Sequence, residues 1–146
     1  MTGNRETIAI ASDHAGFELK EALRGALEAL EYSPLDLGTN GPASVDYPDF
    51  ADRLAAALAE GKAKRGVLVC GTGIGISIAA NRHRHIRAGV VHDVTSARMT
   101  RLHNDANVLC LGARLIGSDV AKDCLRVFLE TDFEGGRHQN RVAKLG

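Results

Sequence analysis

With 146 residues, 18 Lys plus Arg against 18 Asp plus Glu and a formal net charge of +0, the chain amounts to one domain, long enough to bury a core without disulfide or metal staples. Balanced charge provides no global field to recruit nucleic acid or an anionic membrane, so an anionic ligand must be held by a local site and the expected partner is a small molecule. The three cysteines, Cys70, Cys110 and Cys124, form no Cys-x-x-Cys pair, the segment Met1 to Glu6 has no apolar leader core, and no later apolar run approaches a bilayer span, which together predict a soluble protein of the reducing cytoplasm.

Residues 7–11 form a short apolar run, and beyond Ser12-Asp-His-Ala-Gly16 the residues Leu19, Leu23, Leu27 and Leu30 recur at helical spacing, so a strand followed by a helix is expected. Residues 34–38 predict a second strand, and the loop from Thr39 to Pro48 leads to a helix that turns Phe50, Leu54 and Leu58 inward. The pattern then repeats: strand 66–70, helix 76–81, strand 87–91, helix 94–102, strand 108–111 and a last core helix 119–129 with Val120, Cys124, Val127 and Phe128 on one face. Near-continuous apolar strands alternating with helices predict a single domain, 1–146, built as an open, doubly wound, Rossmann-like α/β fold with a parallel five-stranded sheet and helices on both faces.

In such a fold ligands gather at the carboxyl ends of the strands, where Asp13, His14, Cys70, Thr72, His92 and Asp93 all fall. The densest signal is Val67-Leu-Val-Cys-Gly-Thr-Gly-Ile-Gly-Ile-Ser77, in which an apolar strand runs into a cysteine, three alternating glycines and a helix start. Gly71, Gly73 and Gly75 allow successive N–H groups to approach a ligand, and the helix adds its positive end, which makes an anion cradle. That end also favours thiolate at Cys70, a usable base, although a free cysteine at a strand end equally suits plain core packing. The cradle is not a dinucleotide fingerprint, because Ile76 stands where the third glycine is required, nor a Walker loop, because no Gly-Lys-Ser or Gly-Lys-Thr occurs.

Residues 132–146 read as a basic tail in which Arg137 and Arg141, four apart, share a face if helical and could clamp a phosphate, or else form a solvated turn. His83 and His85 in the basic stretch 82–87 lack a cysteine or carboxylate in sequence to complete a metal set, and that stretch is expected to be a solvated loop. His92 and Asp93 are read as a pocket edge, and Cys110 and Cys124 as core. His138 is left between phosphate contact and solvent.

With Ser12-Asp-His-Ala-Gly16, Asp46-Tyr-Pro48, Cys70-Gly-Thr-Gly-Ile-Gly-Ile-Ser-Ile-Ala-Ala-Asn81, His103-Asn-Asp105 and Gly135-Gly-Arg-His-Gln-Asn-Arg141, the chain resembles the type B ribose-5-phosphate isomerases nearly end to end. Galactose- and allose-6-phosphate isomerases belong to the same wider family. The resemblance implies cofactor-free and metal-free aldose–ketose isomerisation through an enediolate, with Cys70 as base, Thr72 and the amides of Gly71 to Gly75 holding the oxyanion, and Asp13 and His103 opening the sugar ring. It further implies hydroxyl binding by Asn104, a pocket wall at Tyr47, phosphate contacts from His14, Arg114, Arg137 and Arg141, and a homodimer or dimer of dimers that shares its sites between subunits. One branch of the family lacks the cysteine and has a glutamate at the position of Ile76 here, so Ile76 accords with Cys70 as base. Because the sequence ends at Gly146, soon after Arg141, any longer C-terminal helix that relatives use for subunit contacts is expected to be missing, which leaves assembly beyond the dimer open. Other phosphosugars, including tetrose phosphates, a non-catalytic phosphosugar- or nucleotide-binding protein, and one partner of a two-component isomerase are the alternatives.

Overall fold

The computed structural model describes residues 4–146, so the first three positions of the N-terminal segment lie outside it. Eleven elements follow one another: β1 (Thr7–Ser12), α1 (Phe17–Ala29), β2 (Ser33–Asp36), α2 (Tyr47–Ala59), β3 (Arg65–Cys70), α3 (Ile74–Ala80), β4 (Ala88–Val90), α4 (Val94–Leu102), β5 (Val108–Gly112), α5 (Ser118–Glu130) and α6 (His138–Ala143). The strands make one sheet in the order β2-β1-β3-β5-β4, and every pairing is parallel. The expected doubly wound fold is therefore present.

Alternation along each strand explains the two layers. Ile8, Ile10, Val67, Val69, Leu109 and Leu111 face α1, α4 and α5 in one core, whereas Ala9, Ala11, Leu68, Cys70, Val108 and Cys110 face α2 and α3 in the other. The three central strands, β1, β3 and β5, are covered on both faces and can therefore be apolar nearly throughout. Chain order reverses between β1 and β3, because β1 leads outward to β2 while β3 leads the other way, and this opens a crevice at their carboxyl ends.

Three expectations need correction. Val120 is 42% exposed, because the buried stripe of α5 runs through Ala121, Cys124, Leu125 and Phe128 and leaves Val120 at its margin in the first turn. The helix expected over 76–81 begins two residues earlier, since Gly73 in a left-handed conformation caps it. The loop over 82–87 is hooked onto α2: His83 Nε2 lies 2.8 Å from Asp52 Oδ1, His85 Nε2 lies 2.8 Å from the Ala55 carbonyl, and Ile86 is buried. The tail is partly ordered as α6, with Arg137 as its N-cap.

Candidate active site

Asp13 and His14 lie where β1 hands over to α1. Asp13 is 6% exposed; its Oδ1 accepts the Gly16 amide at 3.1 Å, and its own amide donates to the Val69 carbonyl at 3.3 Å, which fixes it between the ends of β1 and β3. His14 Nδ1 accepts the Val45 amide at 3.2 Å, so in the neutral ring Nε2 is the donating nitrogen. Val45, in a loop to which the sequence assigned no role, thus orients a proposed phosphate contact.

Cys70 closes β3 with 4% exposure. At Gly73 the chain turns with φ of +78°, where a side chain costs about 1 kcal/mol or more; a methyl there would sit 2.9 Å from the Leu111 carbonyl carbon. Because of that turn the Gly73 amide donates to Cys70 Sγ at 3.1 Å. The first-turn amides of Gly75 and Ile76 likewise have no intrahelical acceptor, so backbone donors gather at the start of α3, next to the end of β3. Thr72 Oγ1 accepts the Ile74 amide at 3.2 Å, leaving its O–H to donate outward.

Tyr47 and Arg114 flank this loop. A methyl on Gly75 would lie 2.7 Å from Tyr47 Cζ, and one on Gly71 would lie 3.4 Å from Arg114 Nη1. The Arg114 amide also donates to the Gly71 carbonyl at 2.9 Å. Thiol, glycine-loop amides, buried carboxylate and guanidinium therefore meet at one crevice. Cys110 and Cys124 lie in the core as expected: burial, then the charges of Asp93 and Asp123, push the Cys124 thiol up to about 11, and burial, then Cys70, pushes Cys110 higher still.

A second group gathers elsewhere. Helix α4 starts at the carboxyl edge after β4 and runs back, so His103, Asn104 and Asp105 emerge at the amino edge, where the Asn107 amide meets the carbonyl of Arg87 just before β4. His103, Asn104, His138 and Arg141 line a cavity of about 290 Å³ with Val142 and Leu145. Arg137 and Arg141 are exposed, and only Arg141 lines that cavity. Five residues of β5, about 16 Å, separate the two groups, so one protomer does not bring His103 to Cys70.

Asp93 has a structural task. Its Oδ1 accepts the Ser96 amide at 2.7 Å, completing a capping box for α4; hydrogen bonds from the Ser96 backbone and then its side chain hold the carboxyl below the usual range. A concavity of about 840 Å³ at the amino edge includes none of the site residues named above. Its arginines are paired internally, Arg65 with Glu6 at 2.7 Å and Arg101 with Asp105 at 2.9 Å, so it offers no unsatisfied charge from them. Among the described residues no helix is long and apolar enough to cross a membrane.

The Ribose/Galactose Isomerase family profile matches residues 8–145. The chain is 44% identical over 135 residues to ribose-5-phosphate isomerase B of Escherichia coli, covering 92% of this chain and 91% of that one. It is 41% identical over 145 residues to the D-erythrulose-4-phosphate isomerase of Pectobacterium atrosepticum, covering 96% and 93% respectively. Among solved structures, ribose-5-phosphate isomerase B of Clostridium thermocellum superposes with a TM-score of 0.94 at 48% identity, covering 96% of this chain and 95% of that one. The crevice chemistry, the topology and these likenesses agree: the chain belongs to the ribose/galactose isomerase family and is an aldose–ketose isomerase.

Proposed function

We propose that the protein interconverts ribose 5-phosphate and ribulose 5-phosphate through an enediolate, with Cys70 as the base. The observation that carries this reading is the 3.1 Å bond from the Gly73 amide to Cys70 Sγ at the mouth of the amide cradle. Ring opening breaks the C1–O4 bond of the furanose, with the proton of the C1 hydroxyl removed and O4 protonated, a task given to His103 and Asp13. Cys70 then takes the C2 proton as the C1 carbonyl oxygen becomes an oxyanion on the Gly71–Gly75 amides and Thr72; the proton returns at C1 while the O2 proton passes to O1. Asn104 binds a sugar hydroxyl, Tyr47 walls the pocket, and His14, Arg114, Arg137 and Arg141 hold the phosphate.

Magnitudes require both halves of the loop. A positioned base supplies about 3 to 5 kcal/mol, short of the ~8 kcal/mol at the low end of enzymatic acceleration. Each well-placed oxyanion donor adds roughly 2.7 to 4 kcal/mol, which brings base and cradle together into range.

Because His103 and Cys70 occupy opposite edges of the sheet, the complete site is composite, with His103, Asn104, Arg137 and Arg141 coming from a second copy of this chain. Ile74 and Ile78, one turn apart on α3 and 50% and 53% exposed, offer an apolar face beside the loop for that copy to cover. Three free, buried cysteines suit a reducing cytoplasm.

The test is turnover of ribose 5-phosphate by the purified protein alone in chelator and heavy water. Cys70→Ala is expected to lower kcat by ~10²- to 10⁴-fold with KM little changed; wild-type speed in that variant, or product without deuterium or an isotope effect, overturns the reading. A four-carbon phosphosugar is the second reading, favoured by the likeness to an erythrulose-4-phosphate isomerase, and ranking phosphosugars by kcat/KM decides between them.

A further inference from the structure

His138 is 5% exposed, although it sits in a short helix at the end of the chain. Its ring stacks on His103 with centroids 4.4 Å apart and planes 17° from parallel. Its Nε2 lies 3.3 Å from Glu134 Oε1, yet is sealed from solvent and too poorly aligned to form a hydrogen bond. The Glu134 amide in turn donates to the Leu102 carbonyl at 3.1 Å, so the tail is tied to α4 one residue before His103.

His103, Glu134 and His138 bring one ligand atom each within 4.8 Å of the others, which invites a metal. The geometry argues otherwise. An ion must lie in the plane of each imidazole about 2.0 Å from its nitrogen, and two near-parallel stacked rings have in-plane lone pairs that run side by side rather than converge. A buried histidine stacked nearly parallel on a neighbouring imidazole acts through the face of its ring.

We propose that His138 is a positioning residue, whose ring holds the His103 imidazole in the orientation that opens the sugar ring. The inference rests on the assignment of ring opening to His103. Without the stack, His103 at the C-cap of α4 would sample other rotamers, and a misplacement of about 1 Å costs roughly 10²-fold in rate. Glu134 beside the stack and Arg141 across the cavity are the charged groups that face it. The tail that carries the phosphate-binding arginines thereby also sets the ring-opening residue.

The test separates two steps. Ribose 5-phosphate closes through O4 and must be opened, whereas ribulose 5-phosphate has its carbonyl at C2 and its C5 oxygen phosphorylated, so it cannot form a five-membered ring. Deuterium wash-in at C1 of ribulose 5-phosphate therefore reports proton transfer alone. His138→Ala is expected to lower kcat on ribose 5-phosphate ~10- to 100-fold, with wash-in reduced no more than about threefold and KM little changed, and His138→Phe, which keeps a flat ring, to recover most of the loss. Equal losses in both assays, a loss confined to KM, or His138→Phe as slow as His138→Ala overturns the inference. His103→Ala is the control: if it lacks the selective loss, the ring-opening role fails and takes this inference with it; if it shows the loss and His138→Ala does not, the inference alone fails.

Discussion

The three loop glycines meet different neighbours, and that difference decides what each substitution does. At Gly73 a methyl group meets backbone, 2.9 Å from the Leu111 carbonyl carbon, at a φ of +78°. Neither can yield cheaply, so Gly73→Ala is expected to destabilise the fold by about 2 kcal/mol and, by moving its amide off Cys70 Sγ, to depress kcat. At Gly75 the methyl meets the ring of Tyr47, 2.7 Å from Cζ, a side chain that is 39% exposed and can swing away. Gly75→Ala should therefore leave the unfolding free energy within about 0.5 kcal/mol of wild type while raising KM, because the displaced phenol enters the proposed sugar pocket. Urea titration and steady-state kinetics on both variants check the contrast, and equal destabilisation would refute it. At this scale the sequence was most legible where chemistry is local: Cys70, Gly73 and Thr72 lie within four residues, and their arrangement follows from a strand end, a turn and a helix start. His138 was illegible, since its meaning comes from a stack with a residue 35 positions away.

Between elements, the tie that depends most on charge joins α1 to β2. Lys20 is fully buried; its Nζ donates to Asp36 Oδ1 at 2.9 Å and to Oδ2 at 3.0 Å, and Glu21 Oε2 lies 2.8 Å away. Burial by itself raises the Asp36 pKa, but the Gly38 amide and the Lys20 ammonium outweigh it and hold the carboxyl below its usual value. A depressed carboxyl contributes stability above its unfolded pKa, near 3.9, and loses it as pH falls through the lower folded value. Asp36→Asn is expected to cost about 2 kcal/mol at pH 7, less than the ~3 to 5 of a wholly buried pair because Glu21 remains and Asp36 is partly solvated. The deficit should shrink as pH drops below about 4, and a deficit that stays constant to pH 2 in urea melts would exclude the ion pair as its source. The order and type of the core elements were readable from near-continuous apolar runs, as in β3, and from apolar residues recurring at helical spacing, as in α1. Boundaries were less so, because Gly73 starts α3 by backbone conformation and Val120 leaves the α5 stripe through its position at the helix start, neither of which periodicity records.

For the whole molecule, the parallel topology follows from strand–helix alternation, but where His103 lies relative to Cys70 does not. Alternation places every residue after a strand at the carboxyl edge, while His103 follows a helix and so returns to the amino edge. Under the composite-site proposal, Cys70→Ala and His103→Ala are each inactive as homodimers for different reasons: one supplies only defective bases, the other only defective ring-opening groups. Exchange of subunits between them gives mixed dimers in which one site combines both substitutions and the other combines Cys70 of one chain with His103 of its partner, both intact. Random exchange makes half of all dimers mixed, so about a quarter of wild-type activity should appear on mixing under conditions that allow subunits to dissociate, and none without exchange. If each protomer used its own His103 and Cys70, every site in every mixture would remain defective and no activity would return. Recovery near a quarter therefore discriminates the two arrangements without knowledge of the substrate preferred, and it holds equally for a dimer and for a dimer of dimers, since the composite pair is the unit that is counted.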